Sequence, residues 1–292
     1  MFAELIISFF ILSHVLTSFY FQNEKPEHKT KLGIQSGPFY YFIITLVFTI
    51  AFISLKLLFV IFIVSIARLL IDQIKSYITR EENHVKTFLL FLVEQFTHIF
   101  VVLLFYPIFK TTNPNSVINS LLERFISTYP FLENINNVDL LTYMILVLAG
   151  VLFAINGGTI VSLMIINLPL DKVKLHKKDT GISRKLYNEE IAVTLEQASV
   201  TGKILEVNMD IVEEEKKRYG KTIGIIERLI IVMAMLINKF ELIAIVTAIK
   251  SIARFKEITN KTSDYYIVGT FASFSIAFLI GLLLLFFKKF LL

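Results

Sequence analysis

The chain has 292 residues, 55% of them apolar and 18% charged, with a mean hydropathy of +0.69 and a formal net charge of +5. A soluble globular domain of this size does not carry that balance, and the apolar residues fall in long uninterrupted runs. The composition therefore points to a polytopic membrane protein and excludes disorder and repeat solenoids. Cysteine is absent, which removes disulfides, thiolate nucleophiles and Cys-ligated zinc or iron–sulfur sites.

In chain order, the run Leu5 to Phe21 lacks a basic flank before it and a small-residue cleavage site after it, and it carries His14 near its middle, so it reads as a retained helix rather than a signal peptide. Phe39 to Ile74 exceeds the ~20 residues of one crossing and is interrupted at Ser54-Leu55-Lys56, which predicts two helices. Thr87 to Phe109 and Leu140 to Leu168 predict single crossings. Between them, Pro114 to Phe131 places Val117, Ile118, Leu121, Leu122, Phe125 and Ile126 on one stripe, the pattern of a helix lying on the outer surface or of a packed loop. Asp171 to Lys221 is the sizeable polar segment. Its pattern predicts two cytosolic helices, near Ile182 to Ser199 and Glu206 to Tyr219, the second stopped by Gly220 as a C-cap. Its acidic and basic residues nearly cancel, which argues against a nucleic-acid surface. Thr222 to Arg254 repeats the long interrupted pattern, with Asn238-Lys239-Phe240-Glu241 as its turn, and Tyr266 to Phe287 predicts the last crossing.

The expected fold is an all-α integral membrane helical bundle of about eight membrane segments, including two short helical hairpins, plus a small helical cytosolic segment. Residues 1–170 and 222–292 form the membrane parts and 171–221 the cytosolic one. Loop charge favours this count. With the N-terminus outside, 21 of 29 basic residues fall on the cytoplasmic side, whereas treating the interrupted stretches as single crossings scatters them over both faces. Short segments that re-enter rather than span would keep the same sides. This places the chain in the cytoplasmic membrane with both termini outside, membrane lipid as its surroundings and 171–221 available to a cytosolic protein partner. The residues do not fix an oligomeric state.

Ionisable side chains at bilayer depth cost ~2.5–3.5 kcal/mol each on insertion scales, so they persist where they pair, line water or serve a function. At ~1.5 Å of rise per residue, His14, Arg68, Glu94 and Glu227 with Arg228 all fall ~8–10 Å from the cytoplasmic ends of their helices. Asp72 and Lys250 lie shallower at ~3–6 Å, and His98 deeper at ~16 Å. His14/Ser18/Gln22, Arg68/Asp72/Lys75, Glu94/His98 and Lys250/Arg254 are spaced by three or four residues, so each set shares a helical stripe. One polar cluster opening to the cytosol is the economical arrangement. Snorkelling to the interface accounts equally well for Asp72, Lys250 and Arg254, but poorly for the deeper His14, Glu94 and His98.

These residues resemble DUF3307, a family of bacterial membrane proteins of unknown function. The resemblance is carried by Gly220-Lys221, Ile223-Gly224, Glu227-Arg228, Lys250-Ser251, Arg254-Phe255, Tyr266 near Gly269-Thr270, and Ser273, with His14, Phe19, Gln22, Asp72, Lys75, Gln95 and His98 also in place. It extends over nearly the whole chain apart from the cytosolic segment. Ser18 stands where the family pattern has Asp, Arg68 where it has His, and Glu94 replaces its Asp. The resemblance implies a His and carboxylate site similar to those of membrane-bound metal-dependent hydrolases. A guanidinium does not belong in a divalent-ion shell. In the family pattern the acids exceed the bases of this layer by two, which one divalent cation would balance. Here Asp72, Glu94 and Glu227 face Arg68, Arg228 and Lys250, and the sum is zero. The expectation is that Arg68 takes the ion's place, bonding Asp72 and Glu94 through its forked donors, with Lys250 as a second counter-ion and no metal or cofactor.

Three functions compete. A non-catalytic membrane scaffold or effector is favoured by the lost ligand types, the charge balance and the absence of a nucleophile elbow or phosphate-binding glycine loop. A membrane-embedded hydrolase-like enzyme acting on a lipid or phosphorylated substrate would use His14 or His98 as base, with Glu94 or Glu227 positioning it. A transporter or channel would use the broken helices, but the outer half of the layer is nearly pure hydrocarbon. Gly157-Gly158 reads as a helix-packing pair. No catalytic residue is assigned; the candidate polar site is His14, Asp72, Glu94, His98, Glu227 and Arg228.

Overall fold

The computed structural model describes residues 2–21, 37–78, 84–116, 120, 124, 138–168, 220–253 and 263–292, which are helices and short connections with no strand among the described residues. The surface stripe from Val117 to Ile126 and the two cytosolic helices expected within 182–219 lie outside them, as do Gln22 and Arg254.

Helix α1 (Phe2–Leu16) runs on into a π-helical turn at Thr17–Phe21. A short α2 (Gly37–Phe48) ends in a 3₁₀ turn at Ile50–Phe52, and α3 (Leu55–Ile78) follows. The break falls slightly earlier than the sequence suggests. Ser54 is the cap, its Oγ accepting the Leu57 N–H at 3.2 Å, and Leu55 and Lys56 already belong to the first turn of α3. Helix α4 (His84–Leu104) is broken from α5 (Tyr106–Lys110) at Phe105, because Pro107 cannot donate to the preceding turn. Helix α6 (Val138–Leu152), a π-turn at Phe153–Gly157 and α7 (Gly158–Ile166) form one rod.

Helix α8 (residues 220–236) and α9 (Glu241–Ala253) form the second interrupted pair. Asn238, at φ 57°, closes α8: its own N–H reaches Met235 O and the Lys239 N–H reaches Ala234 O, the paired bonds of a Schellman cap. This is the turn the sequence predicts. Gly220, by contrast, does not cap a helix. It is itself helical, without the left-handed φ of a C-cap, and the expectation of a stop there is corrected. Helix α10 (Ser263–Leu291) completes the described chain.

Among the described residues, five helices are long and apolar enough to cross a membrane: Phe2–Phe21, Leu55–Lys75, His84–Leu104, Val138–Ile166 and Ile267–Leu291. The described parts of α2, α8 and α9 extend about 18–26 Å, less than a ~30 Å hydrocarbon core. The outer faces suit lipid. Leu55, Phe96, Phe271 and Ile252 are all at least two-thirds exposed. Buried hydroxyls inside the helices turn back to carbonyls three or four residues earlier, as Ser8, Ser13, Ser65, Thr142 and Ser162 do, which satisfies their donors within the helix.

Two apolar cores result. One joins α1, α2, α3, α4 and α5 to the near side of α6, with Phe10, Tyr41, Ile61 and Phe109 at its centre. The other joins α8, α9 and α10 to the far side of the same rod, around Ala154, Val232, Met235 and Ala277. In the second, a Cβ on Gly281 would fall against the Met235 side chain, so the glycine gives that side chain its place between α8 and α10.

Candidate functional site

The first polar group gathers side chains from α1, its π-turn, α2, α3 and α4. Arg68 is buried and spends its fork on the π-turn that follows α1: Nη1 donates to Thr17 Oγ1 at 2.7 Å and Nη2 to Ser18 Oγ at 3.0 Å. Nη1 also lies 3.4 Å from His14 Nδ1, and the guanidinium carbon sits 5.1 Å from the centre of the Tyr41 ring, a cation–π contact. His14 Nε2 is 2.9 Å from Gln95 Oε1. An amide oxygen only accepts, so His14 carries its proton on Nε2 and turns the Nδ1 lone pair toward Arg68. Its ring stacks on His98 at 4.1 Å, and His98 in turn meets the Tyr41 ring nearly edge-on at 5.0 Å. Beside this stack, Lys75 Nζ bonds Glu94 Oε2 at 2.5 Å and lies 5.8 Å from the Phe91 ring centre.

The structure brings His14, Arg68, Asp72, Glu94 and His98 together, but the bonding differs from the expectation. Arg68 hydrogen-bonds neither Asp72 nor Glu94 among the described residues, although both are close enough to act on it electrostatically. The reason lies in helix geometry. Side chains lean toward the N-terminus of their own helix, so Arg68 reaches away from Asp72, one turn further along, and onto the π-turn that follows α1. Glu94 is meanwhile held by Lys75. Asp72 Oδ2, His98 Nε2, Gln95 Nε2 and Arg68 Nε are buried with no hydrogen-bond partner. Thr17 and Tyr41 were missed from the sequence. Thr17 is three residues from His14 and so shares its stripe, but Tyr41 carries no such signal within its apolar run.

Arg228 and the pair Glu227–Lys250 do not join this group. Arg228, 3% exposed, is inserted at the π-turn of the α6–α7 rod. Nε donates to Ala154 O at 2.7 Å, Nη2 to Ile155 O at 3.2 Å and Thr159 Oγ1 at 2.6 Å, and Nη1 to Ser273 Oγ at 3.1 Å. A π-turn spaces its bonds five residues apart and leaves a carbonyl without its usual donor. Arg228 supplies the missing donor. A Cβ on Gly158 would come within 2.9 Å of Arg228 Nε, so this half of the glycine pair makes room for the guanidinium as α10 packs alongside, which specifies the packing role expected of it. Glu227, one residue away and therefore about 100° around α8, faces α9 and bonds Lys250.

The two π-turns touch. Tyr20 Oη donates to Leu152 O at 2.9 Å, Asn156 Nδ2 to Phe19 O at 3.3 Å, and the Phe19 and Phe153 rings meet at 5.2 Å. The expected single cluster is thus three: the His–Arg group, Arg228 in the rod, and the Glu227–Lys250 pair.

A divalent ion does not fit the first group. One imidazole edge of His14 is tied to Gln95 and the other faces a guanidinium, Ser18 supplies a neutral oxygen, and no three His, Asp or Glu side chains converge at metal-binding spacing among the described residues.

Residues 6–125 match a family model described as protein of unknown function (DUF3307), the family whose motifs the sequence resembles; the match takes in His14, Arg68, Asp72, Glu94 and His98. The matched span ends before the motifs between Gly220 and Ser273. No curated protein and no solved structure matches.

Proposed function

We propose that this chain is a non-catalytic scaffold or effector of the cytoplasmic membrane, in which the buried polar groups fasten helices to one another and residues 171–221 dock a cytosolic protein. Both termini lie outside in this reading, and Lys75, Glu94, Lys250 and Glu227 belong to the cytoplasmic leaflet. The observation that carries it is the use made of Arg68. Its two terminal nitrogens are spent on Thr17 and Ser18, and its face on Tyr41, where a catalytic ion would have to sit. Arg68 is then the internal cation of a site that keeps its histidines and has lost its need of a metal. The test is a phosphatase and phosphodiesterase assay on the purified protein with magnesium, manganese or zinc added. No turnover above the His98→Ala variant is expected; metal-dependent turnover lost in that variant would overturn the reading.

One observation favours a second reading, a hydrolase-like enzyme. Asp72 Oδ2 and His98 Nε2 are buried without partners, an arrangement costly enough to be retained for chemistry. On this reading His98 would act as base and Glu94 or Asp72 would orient it, and the same assay separates the two.

A further inference from the structure

The Glu227–Lys250 pair closes one end of a cavity of about 260 Å³ between α8, α9 and α10. The pole is polar on both sides of the charge scale. Lys250 has three N–H groups and one carboxylate partner, Glu227 Oε2, which leaves donors free. Ser273 Oγ accepts from Arg228, so its own O–H is available to donate. Thr247 and Ser251 donate to Ile243 O and Thr247 O, which leaves their remaining lone pairs as acceptors in the cavity that Glu227 also lines. Away from this pole the wall is apolar, with Ile231, Val246 and Phe274 inside and Phe271 at the rim, 68% exposed. The volume falls below the ~300–1,000 Å³ of sites that enclose a whole small molecule. It suits the polar end of a longer one whose remainder lies on the exposed apolar faces of α9 and α10, where Ile245, Ile249 and Phe271 point outward.

We propose that this cavity binds the headgroup of a zwitterionic phospholipid, with the phosphate on Lys250 and Ser273, the ammonium on Glu227, Thr247 and Ser251, and an acyl chain along Phe271. The charge pattern decides the class. A purely anionic headgroup would compete with Glu227 for Lys250 and leave that carboxylate without a cation, and an uncharged lipid would leave the partly buried pair paired only with itself. A phosphoethanolamine headgroup offers the pair its mirror image, one charge for each. Lys250 also lies in the last turn of α9, at a helix end where a headgroup can reach it. The inference is independent of the scaffold reading, since it uses neither the His–Arg group nor the cytosolic segment.

The test uses the full-length protein in nanodiscs of phosphatidylethanolamine and phosphatidylglycerol, with lipid retained after gentle delipidation counted by native mass spectrometry. One phosphatidylethanolamine per chain is expected to be retained over phosphatidylglycerol, and glycerophosphoethanolamine, which lacks the chains, is expected not to displace it. Lys250→Met should reduce retention by about tenfold or more. Because that variant can also fail to fold, Thr270→Phe provides a second route, filling the cavity wall without touching the ion pair; it should keep the native helical content and melting temperature and lose the lipid. Equal retention of both lipids, displacement by the chainless headgroup, or undiminished retention in folded Thr270→Phe would each overturn the proposal.

Discussion

Replacing Arg228 by leucine removes four hydrogen bonds at once, to Ala154 O, Ile155 O, Thr159 Oγ1 and Ser273 Oγ. The reference state sets the sign. If α8 separates from the bundle but stays in lipid, Arg228 is still away from water, at a cost of ~2.5–3.5 kcal/mol, so assembly is what satisfies it. Interhelical polar bonds in membranes average ~0.6 kcal/mol each. Stripping a buried carbonyl costs a further ~1–3 kcal/mol; this applies to Ala154 O, whereas Ile155 O keeps the Thr159 hydroxyl at 2.8 Å. The expected loss is therefore about 3–5 kcal/mol. Arg228→Lys keeps the charge but not the fork, reaches fewer acceptors and should lose about half as much. The assay is equilibrium unfolding in mixed lipid–detergent micelles, followed by circular dichroism and by the reactivity of a single Cys at Ser162, which is unique because the chain has no other. A leucine variant within about 0.5 kcal/mol of the parent, or a lysine variant equal to it, would refute the reasoning.

Gly158→Ala should destabilise by about 1–3 kcal/mol, because the new methyl would meet Arg228 Nε at 2.9 Å; its effect should vanish in the Arg228→Leu background, a coupling a double-mutant cycle measures. Arg68→Met removes the bonds to Thr17 and Ser18 and the cation beside Asp72, so a loss of about 3–5 kcal/mol is expected in the same unfolding assay. Gly281→Leu should separate α8 from α10 and lower the melting temperature, since even a Cβ there would collide with Met235. For topology, single Cys residues at Lys31 and Lys288 should label with a membrane-impermeant reagent from the cytoplasmic and external sides respectively; the reverse pattern would invert the proposed orientation.

The turns that chemistry marks were legible in the sequence. Ser54 and Asn238 stand at the two helix breaks, one as a cap acceptor and the other as a non-glycine residue able to adopt positive φ. Depth was legible too, and it brought His14, Arg68, Asp72, Glu94 and His98 to one place. Partner choice was not. Depth and stripe spacing say nothing about which way a side chain leans, and the lean toward the helix N-terminus carries Arg68 from Asp72 to Thr17. The joint placement of Glu227 and Arg228 was avoidable, since adjacent helical residues point about 100° apart and cannot both face one cluster. The π-turns had no sequence signal that composition or periodicity could detect, yet they set the carbonyls that Arg228 caps. Gly220 shows the opposite failure, a residue whose usual role as a helix stop is not the one it takes, since it is itself helical.

The claim on which the account rests is that the Arg68 guanidinium and the Lys75 ammonium, not a metal ion, supply the positive charge of the His–carboxylate group. Metal content of the purified full-length protein, equilibrated with zinc, manganese and magnesium and then desalted, tests it most directly. The account predicts the same trace content in the native chain and in His98→Ala, whereas one equivalent of metal in the native chain that disappears in that variant would contradict it.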